Sequence, residues 1–231
     1  MFIKPRKAAT VSVIKDHSGK LEVLLMKRHG DDRFLPDYYV FPGGAQDLQD
    51  CDYVFPENIV ISRLKDFKGD SKKFYSYIMC GIRETFEESG ILFALDGDGN
   101  YPEIQTEKSV EKFDHYRKLV FEQKMSFKEM LLKESLLPAV DNFFYISRWI
   151  TPPLSPIRYD TRFFAAIVPE NQETSHDGNE LVDFEWMQPG DALQRYRDNR
   201  IKLVMPTIKT LELLGGFEKA GDVISSLRDG E

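Results

Sequence analysis

The run Arg83-Glu84-Thr85-Phe86-Glu87-Glu88-Ser89-Gly90-Ile91 puts three acids where one helix face collects them. At 100° per residue, Glu84, Glu87 and Glu88 fall within an arc of about 100°, one turn deep. The helical period reaches back from there: Phe74, Ile78, Ile82 and Thr85 recur at i, i+4, i+8 and i+11, with Ser71 as N-cap and Gly90 as the C′ stop. One reading of the acids is a solvated stripe. Two costs weigh against it. Like charges at i, i+3 and i, i+4 repel by about 0.2–0.5 kcal/mol per pair. Acids in the last turns also face the negative end of the helix dipole, at about 0.3–1 kcal/mol apiece. Arg83 reaches Glu87 at i+4, but in the weaker cation-first order, and a plain surface pair is its alternative role. A bound dication reverses the sign of both penalties. Hard carboxylate oxygens of this kind suit Mg²⁺ or Mn²⁺, which share the rest of their shell with water and substrate phosphates.

Working outward, the 231 residues carry 31 Lys+Arg against 38 Asp+Glu, a net charge of −7. That balance argues against sequence-independent nucleic-acid binding, which needs a clustered basic surface. Roughly 70% of the unfolded surface of a chain this long is buried on folding, enough for a sizeable core. No apolar run approaches the ~20 residues of a membrane helix, and no signal-peptide core follows Met1, so a cytoplasmic product is expected. Cys51 and Cys80 offer no C-x-x-C spacing, and the four histidines share no i, i+4 pair, so a metal site has to be built from carboxylates. Asp96-Gly97-Asp98-Gly99-Asn100 superficially suggests calcium, but Tyr101 stands where an EF-hand requires Gly.

The β-rich runs 7–15 and 21–28 flank the turn formers Asp16-His17-Ser18-Gly19, and Tyr39-Val40-Phe41 is stopped by Pro42-Gly43-Gly44. Residues 45–69 lack a clear period and read as an irregular insertion with one short helix. The span 107–133 reads as two helices, the second opened by the capping box Ser126-Phe127-Lys128-Glu129. Strand patterns return at 143–150, 162–168 and 181–187, followed by amphipathic helices near 191–197, 207–214 and 217–227. Strands and helices mixed this way fit a sheet between helix layers.

At this point the residues resemble a family. The run 83–91 is similar to the R-E-U-x-E-E-x-G-U core of the Nudix box, with Thr85 in place of an aliphatic residue, and Phe41-Pro42-Gly43-Gly44 to the turn that opens the box. Gly44 stands 39 positions before Arg83 where the box has fourteen, implying about 25 inserted residues. Asp50, six past Gly44, is then a candidate for the box's first Glu, whereas counting back from Arg83 reaches Gly69 and puts Tyr75 there. The interrupted box, with Leu24-Leu25-Met26-Lys27-Arg28, Arg148-Trp149-Ile150-Thr151-Pro152 and Asp160-Thr161-Arg162-Phe163-Phe164, resembles the Nudix branch that includes coenzyme A diphosphatases. Animal members of that branch are peroxisomal, but Arg228-Asp229-Gly230-Glu231 is not an S-K-L address.

The resemblance implies an α/β/α sandwich with a mixed β-sheet, a single domain over 1–231, an insertion at 45–69 and a helical module at about 105–135. It implies metal-dependent cleavage of a diphosphate linkage in coenzyme A or an acyl derivative. The alternatives are ADP-ribose, a dinucleotide or a nucleotide sugar, and then a ligand sensor on the same fold. Glu84, Glu87 and Glu88 are the expected metal ligands, with Glu87, Glu88 and Arg83 catalytic. Gly43 and Gly44, lacking Cβ, allow close approach to phosphates. Arg28, Arg33 and Arg162 are candidates for reading further phosphates, surface charge being the alternative for each. Trp149 and Phe163 are open to base stacking or to a core role. A general base or further ligand is expected opposite the helix, and Glu180, at the end of the loop before the 181–187 strand, is the candidate, with Glu173 competing. The small-molecule substrate is the expected partner, with no nucleic acid and no membrane; a homodimer is left open.

Overall fold

A computed structural model describes residues 3–31, 35–53, 71–175 and 181–229. The strands are β1 (Arg6–His17), β2 (Lys20–Arg28), β3 (Tyr39–Val40), β4 (Gly43–Ala45), β5 (Ala94–Leu95), β6 (Leu137–Pro138), β7 (Phe144–Ile150), β8 (Tyr159–Ile167) and β9 (Leu181–Met187). The helices are α1 (Ser71–Ser89), α2 (Glu107–Phe121), α3 (Phe127–Lys133), α4 (Pro189–Arg197), α5 (Met205–Leu214) and α6 (Ala220–Asp229). No described helix is long and apolar enough to cross a membrane.

β1 organises the sheet because it is long enough to change partners along its length. Its residues Arg6–Ile14 run parallel to β8, while Ala8–Thr10 pair antiparallel with β4 and Ile14–His17 with β2. The sheet runs β3-β2-β1-β8-β7, with β4 on β1 and β9 on β2, and its mixed direction matches the expectation. His17 pairs with Lys20 across a two-residue turn in which Ser18 and Gly19 both have positive φ, the geometry that matches strand twist.

Alternation along the strands buries both sheet faces. Ala9, Val11 and Val13, with Leu24, Met26 and Phe164, join one core under α1, α2 and α3. Ile14, with Val23, Leu25, Phe163 and Ala165, joins the other, under α4, α5 and α6. Two cores on one sheet make the α/β/α sandwich. The helical module is fastened to α1 by an aromatic contact, Phe86 on Phe127 at 5.9 Å between ring centres.

Some boundaries move. β8 begins at Tyr159 rather than 162, because Arg6 and Lys7 of β1 extend the ladder to Tyr159 and Asp160. α6 begins at Ala220 rather than 217: the Glu218 carbonyl accepts the Leu21 N–H, and the Ala220 N–H donates to Asp16 Oδ1 at 2.8 Å. The described part of the expected 45–69 insertion holds a 3₁₀ turn, Leu48–Cys51; its remainder lies outside the described residues.

Candidate active site

The last turns of α1, strand β4 and the 3₁₀ turn meet around one guanidinium. Arg83 is buried and donates to Asp50 through both ends of its fork, Nε to Oδ1 at 2.9 Å and Nη2 to Oδ2 at 3.0 Å. Its Nη1 stands 2.9 Å from both Glu84 Oε1 and Glu87 Oε1, and Nη2 donates to the Ala45 carbonyl at 3.2 Å. Burial works against the Arg83 charge; hydrogen bonding to Asp50 and the charge of Glu84 outweigh it and raise its pKa. Asp50 is itself positioned by a capping box with Asp47. Asp50, the candidate for the box's first Glu that counting from Gly44 offered, is thus the bidentate partner of Arg83.

The acids are not a solvated stripe. The side chains of Glu84 and Glu87 are 15% and 13% exposed, and Glu88 is 7% exposed. Glu88 Oε2 accepts the Gly43 N–H at 2.7 Å. Burial raises the Glu84 carboxyl pKa, against the pull of Arg83 and with repulsion from Glu87 adding to the rise. Gly43 is a steric necessity, since a Cβ there would lie 2.3 Å from the Ala9 carbonyl oxygen; a Cβ on Gly44 would lie 2.5 Å from the Glu84 carboxylate and displace that side chain. The Cys80 thiol donates to the Gly44 carbonyl at 3.5 Å, tying β4 to α1.

The α1 C-terminus is satisfied group by group. The Phe86 carbonyl accepts from Gly90 N–H and the Ser89 carbonyl from Ser175 N–H. The Glu87 and Glu88 carbonyls accept from Arg117, Nε at 2.6 Å and Nη2 at 2.5 Å. Gly90 adopts φ +74°, the left-handed C′ conformation. Arg117 changes the electrostatic balance expected from the sequence. The cost of acids at this helix end is offset within the protein by two buried arginines, so it does not by itself demand a dication.

As arranged, the carboxylates are engaged with Arg83 and Gly43, and among the described residues no group of three or more His, Cys, Asp or Glu stands ready to hold a metal ion. The donor set nonetheless fits a hard cation. The three carboxylates share a cleft, and Gly44 leaves beside Glu84 the room that a Cβ would fill.

The cleft has a volume of about 1390 Å³ and is lined by Glu84, Glu87, Glu88, Arg83, Gly43 and Gly44, with Arg6, Lys7 and Arg28 supplying further cations. Trp149, half-buried, lines it as well and offers a surface where a base or an apolar group can lie, whereas Phe163, which also borders the cleft, is 5% exposed and belongs to the core under α4, α5 and α6. Arg162 does not line the cleft: its Nη1 donates to Asp160 Oδ1 at 2.7 Å and its guanidinium stacks over Tyr77, on the face that packs against α1. β-strand alternation explains the difference, since Phe163 takes the cleft face and its neighbour must take the other. Arg33 and Glu180 lie outside the described residues; Glu173 is exposed and does not line the cleft. Sequence reasoning missed Arg117 altogether, although one signal existed: it sits inside the buried stripe Phe113, Tyr116, Val120 of α2.

With the geometry established, comparison with known proteins gives consistent matches. A model of the NUDT19 Nudix domain matches residues 71–214. Acyl-coenzyme A diphosphatase NUDT19 of Xenopus laevis is 30% identical over 88% of this chain and 62% of its own length. The Homo sapiens protein of that name is 23% identical over 87% and 62%. The chain therefore spans about three fifths of these relatives. The crystal structure of a NUDIX hydrolase from Alicyclobacillus acidocaldarius is 28% identical, covers 97% of both chains and superposes with a TM-score of 0.81. The interrupted box, the sandwich around it and the matched domain together establish that the chain belongs to the Nudix family, within the group described by the NUDT19 Nudix domain.

Proposed function

We propose that the protein is a metal-dependent hydrolase that cleaves the diphosphate linkage of coenzyme A or acyl-coenzyme A, releasing 3′,5′-ADP and 4′-phosphopantetheine or its acyl form. The carrying observation is a cleft of about 1390 Å³ with three carboxylates and the Gly43-Gly44 backbone in its wall. That volume exceeds the roughly 300–1,000 Å³ of ordinary small-ligand pockets, so an extended substrate with bulk on both sides of its diphosphate suits it. The names of the NUDT19 relatives support the same substrate class.

Glu84, Glu87 and Glu88 would hold Mg²⁺ or Mn²⁺, which when bound neutralises diphosphate oxygens and lowers the pKa of a water. The protein's own residues do the rest. Arg83 fixes the two carboxylates that it touches and is itself fixed by Asp50. Gly43 and Gly44 keep the cleft floor free of side chains. Arg6, Lys7 and Arg28 offer cations for peripheral phosphates, and Trp149 a face for adenine. Glu180 is our candidate for the general base, and Arg33 for a further phosphate contact.

The test is a substrate panel with Mg²⁺ or Mn²⁺: coenzyme A, acyl-coenzyme A, dephospho-coenzyme A, ADP-ribose, a dinucleotide and a nucleotide sugar. Coenzyme A or its acyl form is expected to have the highest kcat/KM. Glu87→Gln and Glu88→Gln are each expected to lower turnover by at least about 10²-fold while the far-UV spectrum is unchanged. Turnover undiminished by EDTA would overturn the metal dependence, and brisk ADP-ribose hydrolysis without coenzyme A cleavage would overturn the substrate.

A further inference from the structure

Arg117 sits on α2, outside the box, yet its guanidinium hydrogen-bonds both to the end of α1 and to Ser175 beside it. Two go to the main-chain carbonyls of Glu87 and Glu88, at 2.6 and 2.5 Å. Two more go to Ser175, its Oγ at 2.8 Å and its carbonyl at 3.1 Å. The residue is 7% exposed. The last carbonyls of a helix have no partner within it, and two buried ones left orphaned would cost about 1–3 kcal/mol each. Here the two that Arg117 satisfies belong to Glu87 and Glu88, two of the three residues whose side chains form the acidic centre. The segment carrying Ser175 is tied to the same helix exit twice more. Ser175 N–H donates to the Ser89 carbonyl at 2.9 Å, and Gln172 exchanges bonds with the Leu92 backbone, at 2.7 and 3.0 Å.

We infer that Arg117 is a positioning residue, through which the helical module holds the last turn of α1, and with it Glu87 and Glu88, in a single arrangement against the 171–175 segment. The inference rests on the function proposed above and gives the module a role in it. Geometry and charge act together here. A planar fork of N–H donors holds carbonyls from two different segments at once, and its charge lies at the negative end of the α1 dipole. If that fork is lost, the final turn frays, and the two carboxylates lose a common orientation although neither side chain has changed. A lysine retains the charge but lacks the fork, so it restores the dipole interaction without the register.

The experiment compares wild type, Arg117→Lys and Arg117→Ala, using hydrogen exchange by mass spectrometry, Mn²⁺ titration followed by electron paramagnetic resonance, and steady-state kinetics. Measurements are made below each variant's unfolding temperature, and R117K serves if R117A does not fold. The expected result is faster exchange confined to the end of α1 and the segment around Ser175, Mn²⁺ binding weakened roughly 10- to 100-fold, and kcat lowered by a similar factor with KM changed less than about threefold. A structural role alone predicts activity falling only with the folded fraction. Wild-type exchange at residues 86–91 in a folded R117K or R117A, or wild-type kcat and Mn²⁺ affinity in either, would overturn the inference. The exchange measurement needs no substrate, so it tests Arg117 separately from the substrate panel's test of the activity.

Discussion

At the scale of single residues, the centre is a problem of charge neutrality in a confined space. Arg83 faces Asp50, Glu84 and Glu87 at 2.9–3.0 Å. A buried cation of this kind contributes little net stability while complete and costs much when one partner is removed. Asp50→Ala therefore leaves Arg83 short of its bidentate partner and should destabilise the fold by about 3–5 kcal/mol. Urea unfolding of the variant beside wild type checks this; a difference under about 1 kcal/mol would show that Arg83 repacks onto Glu84 and Glu87 without loss. Asp50 was readable only as a candidate. An acid six residues past Gly44 acquires meaning when the chain returns across the 3₁₀ turn and brings Oδ1 and Oδ2 to a guanidinium 33 positions later.

Between elements, β7 and β8 are cross-linked by Arg148, whose Nε and Nη2 donate to the two Asp160 oxygens at 2.8 and 2.7 Å, with Arg162 on the same carboxylate. The hydrogen bond from Arg148 holds the Asp160 carboxyl below its usual range, against desolvation and with help from the charge of Arg162. A depressed folded pKa contributes stability that is fully present above the unfolded value, about 3.9, and is lost as pH falls through the folded one. The stability margin of wild type over Asp160→Asn should thus be level from pH 7 to about 5 and shrink as the pH falls below about 4. Denaturant midpoints measured across that window test it, and a margin that stays constant to the lowest pH at which both proteins fold would count against the linkage.

For the molecule as a whole, two cores share one sheet, and Phe164 is a hub on the α1 side. It is fully buried, with ring-centre distances of 5.8 Å to Phe74, 6.3 Å to Phe143 and 6.1 Å to Tyr145. Those neighbours come from α1, β7 and the turn before β7, so Phe164→Ala opens a void where three segments meet, and none can close it alone. The expected loss is about 3–5 kcal/mol of unfolding free energy, measured in urea. A loss under about 1 kcal/mol would mean that the sheet and α1 collapse onto the void.

What the sequence determined by itself is local and periodic. The 3.6-residue repeat and terminal Gly90 set α1, alternation set the strand interiors, and helical geometry alone gathered Glu84, Glu87 and Glu88 on one side. These depend on residues within a few turns of one another, where spacing and direction are linked by backbone geometry. What only the tertiary structure decided involves partners distant in the chain. Asp16 meets the start of α6, Asp50 meets Arg83, and Arg117 meets the carbonyls of Glu87 and Glu88. Arg162 turns from the cleft to Asp160 and Tyr77. Each of these is set by which buried polar group needs a partner once the layers close, and that need does not exist in the open chain, where water satisfies every carbonyl and every charge.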